Sequence, residues 1–251
     1  MSCDRPPATR WDARTYDLTS QPQQAWASEV LARLEGIAQD ATVLDIGCGS
    51  GRVTELLPAL VPRGRVLAID ASPDMVQLAR SRLGARASVW CQDVLDLDLA
   101  QPVDVIVSTA ALHWVTDHDR MWARLAGALR AGGRLEVQCG GAGNIARVRE
   151  AIDAVARGTA PELVGWSPWM FATPDDTERR LRRVGFASIR CWLEERPTYP
   201  TDVASFVRTS ILAAHLARLP PARHARFAAD VVDRVHLPLD YVRLNVSAVR
   251  S

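Results

Sequence analysis

The chain has 251 residues, 48% of them hydrophobic and 24% charged, with a formal net charge of +1 at pH 7. That length can bury one sizeable α/β core, and the near balance of charge provides no electrostatic footprint for nucleic acid. No apolar run is long enough to span a membrane, and the amino terminus shows no basic segment followed by a hydrophobic one, so a cytoplasmic protein without membrane association is expected.

In chain order, residues 24–37 have the spacing of an amphipathic helix that leads into a buried strand, Thr42–Ile46. After a glycine loop, Val53–Leu60 returns as a helix and Arg65–Asp70 as a second buried strand that ends in an acid. Ser72-Pro73-Asp74-Met75 is a helix start, with serine as cap and proline in the first turn. Ala87–Cys91 and Val103–Ser108 read as the third and fourth strands. Met121–Leu129 reads as a helix stopped by Gly132-Gly133, before a fifth strand at Arg134–Gln138. This alternation predicts a mainly parallel sheet with helices on both faces. Beyond Gly140 the pattern changes to a glycine-rich hinge, a helix at 145–157, an aromatic run at 166–171 and a helix from Thr173 to near Gly185. Strands at Ala187–Glu194 and Tyr241–Val249 are expected to pair antiparallel at the sheet edge, with residues 201–234 between them as a helical cap insertion. The whole, 1–251, is expected to be one domain. Residues 1–40 would be an amino-terminal helical lid, 41–140 the cofactor-binding core and 141–185 a helical and aromatic segment.

The densest signal is Val43-Leu44-Asp45-Ile46-Gly47-Cys48-Gly49-Ser50-Gly51, a buried strand running into a loop of alternating glycines with an acid beside it. Arg52 occupies the position where a dinucleotide fingerprint wants its third glycine, which disfavours a pyrophosphate cofactor. S-adenosylmethionine, which lacks phosphates and carries positive charge, fits better beside Asp45. Asp70, nineteen residues beyond Gly51, can accept both ribose hydroxyls, or else cap the following helix. Asp93 can accept from an adenine amine, or belong to a solvated loop with Asp96 and Asp98. Asp45 could hold the loop or approach the methionyl amine. Ile69, Ala71, Met75 and Val94 lie where they could line the adenine. An NAD-linked oxidoreductase and a noncatalytic nucleoside-binding protein are the rival readings.

On these motifs the chain resembles the class I S-adenosylmethionine-dependent methyltransferases: Asp45-Ile46-Gly47-Cys48-Gly49-Ser50-Gly51 matches their loop, Asp70 their ribose acid and Asp93 their adenine-side acid. The resemblance covers residues 40–138. It implies a seven-stranded, mostly parallel Rossmann-like sheet of order 3-2-1-4-5-7-6, with the last strand antiparallel. Ile69-Asp70-Ala71-Ser72-Pro73-Asp74-Met75, Ala111-Leu112-His113-Trp114-Val115, Phe206-Val207-Arg208-Thr209 and Val242-Arg243-Leu244 further resemble the trans-aconitate methyltransferase group, which acts on small carboxylic acids. His113 departs from that group, which carries glutamine there.

On the substrate side, His113 could remove a proton or orient an acceptor, and Trp114 could form an apolar wall. Trp166, Trp169, Met170 and Phe171 suggest a pocket wall or helix packing. Trp11 and Tyr16 could close over the crevice, Tyr16 offering a hydroxyl. Arg208, with His215 at helical spacing, or Arg243 could bind a substrate carboxylate; a surface arginine and a sheet-edge ion pair are their bland alternatives. All thirty basic residues are arginine, so no lysine base exists and planar recognition of anions is favoured. Residues 1–140 carry 14 basic and 17 acidic groups, and residues 141–251 carry 16 and 12, compatible with a cationic cofactor and an anionic substrate. The five cysteines form no C-x-x-C pair, so no metal site is expected. The expected activity is methyl transfer to a small or medium-sized molecule, anionic with an apolar body, by carboxylate O-methylation. The alternative is N-, C- or hydroxyl-O-methylation with His113 as base. No obligate protein partner is indicated.

Overall fold

The computed structural model describes residues 21–251, apart from the side chains of 21–25 and 27. Seven strands form one sheet: β1 (Thr42–Ile46), β2 (Arg65–Asp70), β3 (Ser88–Cys91), β4 (Val103–Thr109), β5 (Leu129–Gly140), β6 (Phe186–Thr198) and β7 (Leu239–Arg250), in the order β3-β2-β1-β4-β5-β7-β6. β1, β2, β3, β4 and β5 pair in parallel, and β7 runs antiparallel between β5 and β6. The expected order and the antiparallel last strand are both present.

Period-two alternation sorts the buried residues onto two faces. Leu44, Ile46, Ile106, Leu135 and Val137 pack under helices His118–Ala128 and Pro174–Arg183, through Met121, Trp122, Leu125 and Leu181. Val43, Val66, Val105 and Val107 face the other way, against Val30, Leu34 and Leu57. Ala68 and Val89 meet Val76, Ala79 and Leu83 of helix Pro73–Leu83. A further cluster lies beyond the carboxyl ends of the strands. There helix Ala146–Thr159 and the inserted helices between β6 and β7 bury Val148, Ile152, Phe206, Ile211 and Phe227 around Trp26, Trp169 and Tyr241.

Several boundaries differ from expectation for local reasons. The first described helix spans Gln21–Ala32 and ends before Gly36, whose φ of +79° turns the chain. The return after the glycine loop is a 3-10 turn, Thr54–Leu56, then a short helix, Leu57–Leu60. Helix His118–Ala128 starts earlier than read because Asp117 caps it by accepting from the Arg120 N–H. Gly132-Gly133 does not stop that helix. Leu129 is already extended and pairs with Val103, and the two glycines sit inside β5 next to a shift in register. β6 continues to Thr198 because β7 keeps pairing with it as far as Leu239.

The chain following the first helix is tied to the sheet by a buried polar network. Arg33 donates to Asn245 Oδ1 at 3.0 Å and stands 3.9 Å from Glu136 Oε2, while Glu136 Oε1 accepts from Ser247 Oγ at 2.8 Å and Arg134 at 3.3 Å. Burial raises the Glu136 carboxyl above its usual range against these donors. Arg33→Ala is expected to cost ~1–3 kcal/mol in urea unfolding, since it removes a donor from a buried acid. Adding Glu136→Gln should recover part of that loss. A double variant no more stable than Arg33→Ala would show that the charge of Glu136 is not what Arg33 offsets.

Candidate active site

The site forms at the carboxyl edge of the sheet, where β1 meets β4. The Gly47 and Cys48 N–H groups both donate to the Ile69 carbonyl, at 2.8 and 3.0 Å, which folds the glycine loop over the end of β2. Gly47 has φ +71°, and a Cβ there would lie 2.3 Å from the Ala111 Cβ. Gly49 also has positive φ, but a Cβ on it would meet nothing within 4 Å, so its open side can receive a ligand. Gly51, at φ +83°, closes the loop.

Asp70 bridges this loop to the next helix. Its Oδ2 accepts from the Gly49 N–H at 2.9 Å and its Oδ1 from the Ser72 N–H at 2.8 Å. Each oxygen keeps further acceptor capacity, which suits two ribose hydroxyls. Burial raises the Asp70 carboxyl and these two backbone donors oppose the rise. Ser72 caps the helix as read, with Met75 N–H as donor.

Asp45 is buried beneath the loop, with Oδ2 accepting from Thr54 Oγ1 at 2.7 Å. Its Oδ1 is buried with no hydrogen bond among the described residues. Burial pushes its pKa up to about 7, the Thr54 bond opposes this, and the negative charge of Asp70 adds to the rise. Two acids in one crevice, one with an orphaned oxygen, fit a cation-bearing nucleoside. Asp93 caps the 3-10 turn Val94–Asp96 through Oδ1, which accepts from the Leu95 N–H, a role not read from sequence, and Oδ2 is left for a ligand. Met75 and Val94 are buried and Ala71 is exposed.

His113 sits in a 3-10 turn after β4, buried, and its Nδ1 accepts the Gly140 N–H at 3.3 Å. Its own carbonyl accepts from Met170, which pins the aromatic segment to this turn. The rings then run continuously. His113 stacks on Phe171 at 5.8 Å, Phe171 on Trp169 at 5.6 Å, and Trp169 touches Trp114 at 5.6 Å and His215 at 5.2 Å. His215 in turn meets Trp166 edge-on at 5.1 Å. Burial lowers His215 to about 4 and His113 well below the usual imidazole range; nearby Arg243 and His118 push His113 further down. Arg243 is only 2% exposed, pairs in register with Gly140, and lies 4.9 Å from the Trp26 ring.

His113, Trp114, Trp166, Trp169 and His215 are thus brought together, with Arg243 within electrostatic reach of His113. Arg208 is not among them. It is exposed and lines a groove of about 1030 Å³ between the inserted helices, with Asp202, His224 and Asp233, and none of the other described candidate residues lines that groove. Trp11 and Tyr16 lie outside the described residues. Trp26, Tyr241, Gly140 and the buried Asn144, whose Oδ1 accepts from Val242, were not picked out from sequence. Only a Trp inside an amphipathic helix hinted at any of them. Among the described residues no cluster of three or more His, Cys, Asp or Glu could hold a metal, and no helix is long and apolar enough to cross a membrane.

Residues 43–133 match a family profile described as a methyltransferase domain. An uncharacterised methyltransferase of Schizosaccharomyces pombe is 32% identical over 191 residues, 72% of this chain and 72% of that protein. A trans-aconitate 2-methyltransferase of Methylobacterium nodulans is 39% identical over 128 residues, but the match spans only 51% of this chain and 49% of that protein. The fold is similar to that of Haemonchus contortus phosphoethanolamine N-methyltransferase 2 in complex with phosphomonomethylethanolamine and S-adenosylhomocysteine. The TM-score is 0.63 at 15% identity, over 95% of this chain and 56% of that one. With the glycine loop, Asp45 and Asp70 arranged as described, the chain belongs to the class I S-adenosylmethionine-dependent methyltransferases, enzymes that take S-adenosylmethionine as cofactor.

Proposed function

We propose that this enzyme methylates a carboxylate oxygen of a small or medium-sized organic acid with an apolar body. The observation that supports this reading best is the burial of Arg243 at the strand ends, beside His113. A guanidinium removed from water is stabilised by nearby negative charge, and its planar fork suits a carboxylate. Arg208, in its separate groove, is the weaker candidate for that role. The similarity to a trans-aconitate 2-methyltransferase over half of each chain points the same way.

S-adenosylmethionine supplies a methyl group activated on a sulfonium. At the reacting centre an anion and a cation become an ester and a thioether, so a low-dielectric, water-excluding wall helps the transfer. Trp114, Trp166, Trp169, Phe171 and His215 form that wall in this reading. A carboxylate is already ionised at neutral pH, so no group has to remove a proton. On the cofactor side Asp70 takes the ribose hydroxyls, the free oxygen of Asp93 takes the adenine amine, and Asp45 faces the methionyl ammonium.

Incubation with isotopically labelled cofactor and a panel of organic acids is expected to yield methyl esters by mass spectrometry and NMR. Exclusive N-, C- or hydroxyl-O-methyl products would end this reading. Arg243→Met should raise KM for the acid by ~10- to 100-fold, the worth of a charge-assisted hydrogen bond, with S-adenosylhomocysteine still bound. Calorimetry on Asp70→Asn should show cofactor affinity down by ~10-fold or more in a folded protein; unchanged affinity would remove Asp70 from the ribose.

Asp45 gives a pH signature. Its folded pKa of about 7 lies above the ordinary aspartate value, so folding favours its protonated form. That contribution is fully present below the unfolded pKa of about 4 and is lost as pH rises through about 7. The melting temperature of the unliganded protein, taken relative to Asp45→Asn, should therefore fall between about pH 4 and pH 7 and level off above. A difference that stays flat across that interval would mean Asp45 is already ionised.

A further inference from the structure

The parallel ladder between β4 and β5 stops one step short of Gly140. Ala110 donates its N–H to the Gln138 carbonyl at 2.7 Å, and the next bond of such a ladder would run from the Gly140 N–H to the Ala110 carbonyl. Ala110, however, is a non-glycine residue at φ +56°, and the chain turns out of the sheet there. His113 Nδ1 takes the place of the missing carbonyl. A buried backbone N–H requires an acceptor, and an imidazole nitrogen accepts only when it carries no proton. In the neutral ring the proton is then on Nε2, the nitrogen that β5 does not hold.

The surroundings hold the ring in this position. A Cβ on Gly140 would fall 2.6 Å from Phe171 Cε1 and 3.0 Å from Asn144 Nδ2, so the lack of a side chain lets Phe171 close on His113. Asn144 is itself fixed by the Val242 N–H, one residue before Arg243. The positive charge of Arg243 and the burial of the ring both oppose a second proton.

We propose that His113 is a fixed hydrogen-bond donor, its Nε2–H reading an oxygen of the methyl acceptor, and that the Gly140 N–H is the positioning group that sets this tautomer. The assignment deepens the carboxylate reading, on which the identity of the acceptor oxygen rests. Arg243 would supply the charge and His113 a directed donor. Together they favour an acceptor with a second oxygen beside the one being methylated. Removal of a proton by His113 would require Nε2 to be bare, which the Gly140 bond prevents.

Two measurements test this. With S-adenosylhomocysteine bound, NMR of the histidine-labelled enzyme at neutral pH should show a bare Nδ1 and a protonated Nε2 for His113, assigned by the signals lost in His113→Gln. The opposite tautomer, or a doubly protonated ring, would overturn the proposal. On the acceptor that the enzyme methylates, His113→Phe should lower kcat/KM by ~10- to 100-fold. His113→Gln, whose amide can donate from nearly the same place, should recover most of that. A matching loss of ~10²–10⁴-fold in kcat for both variants, with cofactor and acceptor still bound, is the mark of a missing base and would equally overturn it. A non-carboxylate acceptor found together with the Nε2–H tautomer would end the ester reading and leave the donor assignment standing.

Discussion

Side by side at the middle of the sheet, β1 and β4 send their connections to opposite faces, and no segment can cover both strand ends at once. Leu57, from the β1 connection, packs with Val43 and Val105, whereas Met121 and Trp122, from the β4 connection, pack with Leu44 and Ile106. The divergence opens a crevice at the carboxyl edge, as in other doubly wound sheets. Several candidate groups sit on that edge: the glycine loop after β1, Asp70 at the end of β2, Asp93 after β3, His113 after β4 and Gly140 at the end of β5. Because β7 runs the other way, Arg243 near its start reaches the same level.

A strand that ends inside a protein leaves donors and acceptors needing partners, and here side chains supply several of them. Asp70 collects the Gly49 and Ser72 N–H groups, His113 collects the Gly140 N–H, and Ser108 Oγ donates to the Ile46 carbonyl at 2.8 Å. The bonds that finish the sheet are therefore the ones that aim the site. Asp70, half-buried, is held by two backbone donors, and the His113 ring by one, without a carboxylate partner. The electrostatics divide along the same edge. Asp45 and Asp70 gather acid groups at the glycine-loop end, and Arg243 places a positive charge at the His113 end.

Most of the core was legible because its signals are local. Short apolar runs of five to seven residues mark β1, β2 and β4, and Ser72-Pro73 or Thr173-Pro174 specifies a helix start by capping chemistry that depends on no distant residue. Where the limits shifted, a distant partner decided them: β5 begins at Leu129 because Val103 is there to pair with it, and β6 runs to Thr198 because β7 begins at Leu239.

By itself the sequence determined the sheet, the glycine loop and the acids that follow it, since each is written within one strand and its turn. It also fixed a run of aromatic residues without fixing what they face. Tertiary structure alone decided that His113, Phe171, Trp169 and His215 form one wall, that Arg208 and Arg243 part company, and that Trp26 approaches Arg243. These residues come from the first described helix, the loop after β4, the aromatic segment before helix Pro174–Arg183, the insertion and the final strand, and their meeting depends on the order in which β5, β7 and β6 are laid down. Two arginines of identical chemistry are separated by burial, one in a strand packed among its neighbours and one on the outer side of a helical turn. Burial is a property of the assembled neighbourhood that no spacing along the chain encodes.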